Sequence, residues 1–226
     1  MRVGVVGAGA IGTLFAYSLA CRHDVRVLVR DERRARAIAD RGGLVLEGES
    51  PRPVRLGSDA SLFADVDVTL VAVKAYATID ALRPLYDVLP PLAPIVSLQN
   101  GASAVGQIET ALGELTAIVL APTTEAATLL EPGVARRIGR GVTRVGWARA
   151  RNGGDPAAAR IAAAFTAAGL EASFVERIEP YVWGKLVINA AINPVAALAG
   201  VASGALLERP ELWGRAERAA REAAAG

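Results

Sequence analysis

Short β-branched runs alternate with helical patterns through roughly the first half of this chain. Residues 3–6 read as a strand, 11–20 as an apolar helix, 25–29 as a strand and 31–41 as a strongly charged helix. Residues 66–73, Val-Asp-Val-Thr-Leu-Val-Ala-Val, predict a further strand, apolar on both faces as a buried parallel strand is. Residues 95–98 and 118–121 predict two more, each after a helical segment. Strands alternating with helices imply right-handed βαβ units and a doubly wound sheet.

The pattern changes after Ala121. Residues 123–128, 135–139 and 143–147 are short and are separated by Pro132-Gly133 and Arg140-Gly141, so they read as antiparallel additions joined by tight turns. Residues 157–168 are helical and 172–175 predict a last strand; Arg151 to Asp155 read as a surface loop. From Glu179 onward only helical patterns remain, which places a domain boundary near Glu176 and gives domains of 1–176 and 177–226.

Two uncharged stretches imitate other things. Residues 3–21 follow Arg2 like a secretory signal, but glycines at 4, 7, 9 and 12 interrupt them. Residues 186–207 are long enough to span a bilayer, yet they carry Asn189, Asn193 and Pro194 at mid-span, costly in hydrocarbon. A buried helix of a soluble bundle is the expectation for that segment.

Composition narrows the chemistry. The 226 residues hold one cysteine, Cys21, and one histidine, His23, which excludes disulfide scaffolds, Cys/His metal sites and histidine-based triads. A single cysteine fits the cytoplasm. The net charge of +2 is too small to argue for nucleic acid, and no membrane partner is expected. Of the 25 basic residues only Lys74 and Lys185 are lysine, so this chain uses arginine wherever charge alone suffices.

Gly7-Ala8-Gly9-Ala10-Ile11-Gly12 satisfies G-x-G-x-x-G between an apolar strand and an apolar helix, the setting a dinucleotide site requires. Gly7 serves the tight turn, Gly9 the close approach of a pyrophosphate, and Gly12 the packing of helix on strand. Ala10 and Ile11 open the helix, whose first N–H groups favour phosphate. The second strand ends in Arg30 where an NAD site usually has Asp or Glu, and Arg33 and Arg34 lie close enough to assist. Guanidinium groups grip a 2′-phosphate, so the expected cofactor is NADPH (NADP). Arg36 reads as part of a solvated face.

Lys74 and Asn100 each follow a predicted strand at its C-terminal end, the ligand edge of open α/β sheets. Lys185, Asn189 and Asn193 recur every four residues and share one face of an otherwise apolar helix. Such a polar stripe is expensive without a ligand or a polar contact to the first domain. Lysine can release a proton when desolvated, which supports an acid–base role for Lys185.

The glycine motif, Val71-Ala72-Val73-Lys74-Ala75-Tyr76, Leu98-Gln99-Asn100-Gly101 and residues 183–194 occur in order along the chain. Together with residues 123–128 and the Pro132-Gly133 to Gly141 stretch, they resemble the ketopantoate reductase (2-dehydropantoate 2-reductase) family. The resemblance implies an N-terminal Rossmann-type doubly wound domain followed by an all-helical C-terminal domain. It also implies NADPH-dependent reduction of a small-molecule 2-keto acid, 2-dehydropantoate giving pantoate for coenzyme A synthesis. Lys185 would then be the general acid, and Asn189 and Asn193 would hold substrate oxygens. Ser203 stands where some members place a substrate-binding asparagine. Lys74 and Asn100 would line the nicotinamide side, and Arg30 would meet the 2′-phosphate. A homodimer through the helical domain is a further expectation. The family continues for several more helices, bearing a serine and a carboxylate, so the helical domain is expected to be incomplete at residue 226. Other readings compatible with the residues are a dinucleotide-binding sensor or interaction protein and a related reductase for a different keto acid.

Overall fold

The computed structural model describes residues 1–114, 116–150 and 156–225, so the loop expected at 151–155 lies outside the described residues. Two compact units emerge, Met1–Gln99 with Ser103–Ile178, and Asn100–Ala102 with Glu179–Gly226.

The first unit begins with strand β1 (Arg2–Val6), helix α1 (Ala10–Leu19), β2 (Asp24–Leu28), α2 (Glu32–Asp40), β3 (Val45–Leu46) and β4 (Arg55–Gly57). It continues with β5 (Val68–Val71), α3 (Thr78–Leu82), β6 (Ile95–Ser97), α4 (Ala104–Leu112) and β7 (Ile118–Leu120). A hairpin of β8 (Ala126–Glu131) and β9 (Val134–Gly139) follows, then β10 (Val142–Arg149), α5 (Ala157–Ala167) and β11 (Glu171–Phe174).

Among the described residues the main sheet has eight strands in the order β4-β2-β1-β5-β6-β7-β10-β11. Strands β4 through β7 in that order run parallel, β10 joins β7 antiparallel, and β11 pairs parallel with β10. This is the expected doubly wound α/β sheet of Rossmann type. The chain leaves β1 for β2 on one side and returns to β5 on the other, so the topology switches beside β1, where such sheets bind ligands.

Alternate strand residues supply two cores. Val3, Val5, Val27, Leu70 and Val96 pack on one face with α1 and α5, while Val6, Val71, Ile95 and Ile118 pack on the other with Phe63 and Leu85. Gly4 faces this second core, where an added Cβ would overlap the Phe63 ring.

Several expectations shift. The hairpin β8–β9 is antiparallel as expected, but it forms a separate three-stranded sheet with β3, and of the three expected antiparallel additions β10 alone joins the main sheet. The first of these strands begins at Ala126, because Thr123 makes just an isolated bridge to Thr143. This small sheet packs on α1. Every residue from Gly12 to Leu19 is therefore buried, which explains why that segment lacks a charged face. The strand expected at 66–73 pairs only over Val68–Val71.

The second unit contains helix α6 (Glu179–Ala199) and helix α7 (Pro210–Ala225), which pack on each other. The expectation of one buried helix across 186–207 is overturned. Gly200 turns the chain at φ +64°, a 3₁₀ turn follows at Ser203–Leu206, and α6 buries only Ala191 and Ala196. A helix facing one main neighbour cannot cover its circumference. Among the described residues, α6 is also the one helix long and apolar enough to cross a membrane by length and composition.

Candidate active site

Gly7 begins the turn after β1 with φ +100°, a left-handed conformation that glycine adopts without strain, and its N–H donates to the Leu28 carbonyl at 3.0 Å. A Cβ on Gly7 would lie 2.7 Å from Val73 Cγ1. A Cβ on Gly12 would overlap the Gly7 carbonyl oxygen and sit 3.1 Å from Ala72 Cβ. Both glycines are thus required by the protein's own packing. Gly9 is different: a Cβ there would find only the Ala72 carbonyl oxygen, 3.9 Å away. The space beside Gly9 is free for something other than protein.

Gly9 is also the N-cap of α1 and brings no side chain to the first turn, so Ala10 and Ile11, both half-buried, open the helix without a side-chain acceptor. An uncapped helix N-terminus beside an open glycine suits a pyrophosphate and its charge. By these two observations the residues fit a dinucleotide.

Arg30 is exposed two residues beyond the end of β2. Its acidic neighbour Asp31 caps α2, its carboxylate accepting from the Arg34 N–H at 2.8 Å. Arg34 is half-buried, and its Nη2 donates to the Ala8 carbonyl at 3.5 Å, tying α2 to the glycine loop. Arg33 is exposed, and Arg36, also exposed, pairs with Glu32 at 3.8 Å on the helix surface.

Lys74 stands three residues beyond β5 rather than directly after it, at the head of a 3₁₀ turn over Ala75–Ala77, with its side chain exposed. The Ala72 N–H donates to the Val6 carbonyl at 3.0 Å, so this loop lies beside the glycine loop. Asn100 is exposed, three residues beyond β6. Between them, Gln99 Nε2 donates to the Val73 carbonyl at 2.8 Å and to Thr78 Oγ1 at 2.7 Å.

In the second unit, α6 is helical through Lys185, Asn189 and Asn193, which therefore share a face. Lys185 and Asn189 are half-buried and Asn193 is exposed. Burial holds the Lys185 ammonium below the usual lysine pKa. Pro194 has no N–H to offer the Ala190 carbonyl one turn back. Ser203 opens the 3₁₀ turn beyond Gly200, so it lies off the helix that carries the stripe.

Residues 3–149 match the family model described as ketopantoate reductase PanE/ApbA, and residues 177–226 match its C-terminal counterpart. The chain belongs to the ketopantoate reductase family. Members of this family are dinucleotide-dependent reductases. The chain is 35% identical over 214 residues to a 2-dehydropantoate 2-reductase of Halobacterium salinarum, covering 93% of this chain and 69% of that protein. It is 33% identical to the 2-dehydropantoate 2-reductase of Pyrococcus horikoshii, covering 94% and 68%. A crystal structure of a PanE/ApbA family ketopantoate reductase from Ralstonia eutropha superposes with TM-score 0.85 at 27% identity, covering 100% of this chain and 73% of that one.

Gln99 sits in a motif that sequence reasoning recognises without giving this residue any work, and nothing in the sequence marks its partners Thr78 and Ser97. Glu125 is passed over in the same way, although its buried carboxylate is held by both Arg137 Nε, at 2.9 Å, and Arg137 Nη2. A polar residue one or two steps past an apolar strand is the available signal for Gln99. No spacing rule joins Glu125 to Arg137, because their pairing depends on the β8–β9 register.

Proposed function

We propose that this chain reduces 2-dehydropantoate to pantoate with NADPH. The observation that carries the chemistry is Lys185, a half-buried lysine with a lowered pKa on the same helix face as Asn189 and Asn193. The names of the relatives from Halobacterium salinarum and Pyrococcus horikoshii support the substrate.

In this reading Gly7 makes the turn that aims the loop; Gly9, Ala10, Ile11 and Gly12 hold the pyrophosphate by backbone N–H groups, and Arg30, with Arg33 and Arg34 nearby, takes the 2′-phosphate. When bound, the cofactor supplies a hydride to the keto carbon. Lys185 Nζ gives its proton to the keto oxygen and, before that transfer completes, its positive charge stabilises the developing alkoxide. The lowered pKa makes this ammonium a readier acid than an exposed lysine. Asn189 and Asn193 orient substrate oxygens by amide donors, and Ser203 offers a hydroxyl to the same end. Lys74 and Asn100 attend the nicotinamide. The reaction is placed in the cytoplasm, where the exposed free Cys21 stays reduced.

The test is NADPH oxidation with 2-dehydropantoate against a panel of other 2-keto acids. Lys185→Ala should cut kcat by about 10²–10⁴ while NADPH affinity holds, and equal loss of both would remove the general-acid role. Arg30→Asp should weaken NADPH far more than NADH; an unchanged ratio would dismiss Arg30 from the 2′-phosphate.

A further inference from the structure

We infer that Gln99 is a positioning residue that fixes Lys74 for the nicotinamide end of the cofactor, an inference resting on the role proposed for Lys74 above. Lys74 is exposed, so side-chain packing does little to orient it, and what the protein can fix is the backbone position and Cα–Cβ direction from which the side chain reaches out. That backbone is held on both sides through one amide. Gln99 Nε2 donates to the carbonyl of Val73, the residue before Lys74, at 2.8 Å. The same nitrogen donates to Thr78 Oγ1 at 2.7 Å, and Thr78 Oγ1 in turn donates to the carbonyl of Ala75, the residue after Lys74, at 2.8 Å.

The network is chemically closed. A carboxamide nitrogen has two hydrogens, and both are used. Val73 contributes an obligate acceptor, so the amide must turn its nitrogen towards it and its oxygen away. That oxygen accepts from Ser97 Oγ at 3.3 Å, and the same hydroxyl accepts from the Gln99 backbone N–H at 3.3 Å. Thr78 and Ser97 are buried, at 0% and 1% exposure, so water does not compete for these bonds. Thr78 is also the first residue of α3, which roots the Lys74 turn in a helix. Gln99 therefore couples the loop after β5 to the end of β6, and Asn100 follows it directly in the chain. Gln99 thus holds the carbonyl before Lys74 directly and the hydroxyl that holds the carbonyl after it, so one network brackets an exposed lysine.

The experiment compares two probes, NADPH and adenosine 2′,5′-bisphosphate, by calorimetric titration of the whole chain. The second lacks the nicotinamide and reports on Arg30 and the fold. Gln99→Met, which keeps length and loses every side-chain hydrogen bond, should raise the NADPH Kd about tenfold and leave the bisphosphate Kd within about twofold. Gln99→Glu, which keeps the oxygen and loses the donor, should behave the same way. In a Lys74→Ala background, Gln99→Met should cost nothing further, since it acts through the missing side chain. Equal weakening of both probes, no weakening of either, an unaltered NADPH Kd in Lys74→Ala, or a second full loss in the double variant would each overturn the inference. Turnover of 2-dehydropantoate by the unaltered chain is a separate readout. Its absence alongside selective NADPH weakening would sink the substrate reading and support the role of Gln99.

Discussion

Alanine at Gly9 and at Gly12 should separate what the glycine loop does for a ligand from what it does for the fold. At Gly9 the new methyl meets nothing nearer than the Ala72 carbonyl oxygen at 3.9 Å, an ordinary contact. The cost to folding is confined to a poorer N-cap, about 0.5–1 kcal/mol, or roughly 1–4 °C in Tm for a unit of this size. At Gly12 the methyl overlaps the Gly7 carbonyl oxygen and crowds Ala72 Cβ, and neither atom can rotate away. Alanine returns about 1 kcal/mol of helix propensity there. Overpacking against rigid backbone sits at the upper end of its usual cost, about 3 kcal/mol. The net loss is about 2 kcal/mol, or roughly 4–8 °C. Thermal unfolding without ligand and NADPH titration read the two effects apart. Gly9→Ala should weaken NADPH at least about tenfold, equivalent to about 1.4 kcal/mol, in a nearly undisturbed protein. A Gly9→Ala protein that binds NADPH like its parent, or that loses as much stability as Gly12→Ala, would refute the division of labour.

Three further outcomes follow from charges wholly or partly removed from water. The Glu125 carboxylate is wholly buried against Arg137, so Arg137→Ala should cost about 3 kcal/mol, on the order of 6–12 °C in Tm, and a drop under about 2 °C, a threshold of about 1 kcal/mol, would show the pair to be solvated. As general acid, Lys185 works protonated, so kcat/KM should fall as pH rises through its lowered pKa, below the ordinary 10.5. Stability runs the other way: between the lowered folded value and 10.5 the unfolded chain binds the extra proton, so raising pH across that window favours the fold. An alkaline limb that persists unchanged in Lys185→Ala would assign it to another group.

Much of the fold and of the candidate site is legible in the amino-acid sequence. The glycine spacing, the apolar strands and the four-residue period of Lys185, Asn189 and Asn193 are local patterns, and local patterns survive without knowledge of neighbours. The illegible parts share a cause. Strands β3 and β4 have only two and three residues, too few to show a period, and exist because β9 and β2 offer them an edge. In sequence the hairpin β8–β9 resembles a continuation of the main sheet, because its turn chemistry is the same in either place.

Sequence alone determined the class of sheet, the position of the dinucleotide loop and the polar stripe of α6, since each depends on residue order within one or two elements. Tertiary structure decided which glycines serve packing and which leaves room for a ligand, because that depends on where Val73 and Ala72 arrive from a different strand. It likewise turned Gln99 from a letter in a motif into the amide that holds the Val73 carbonyl before Lys74 and the Thr78 hydroxyl that bonds the carbonyl after it. Its hydrogen bonds reach back 21 and 26 residues, to Thr78 and Val73, and only the folded sheet brings those atoms within reach.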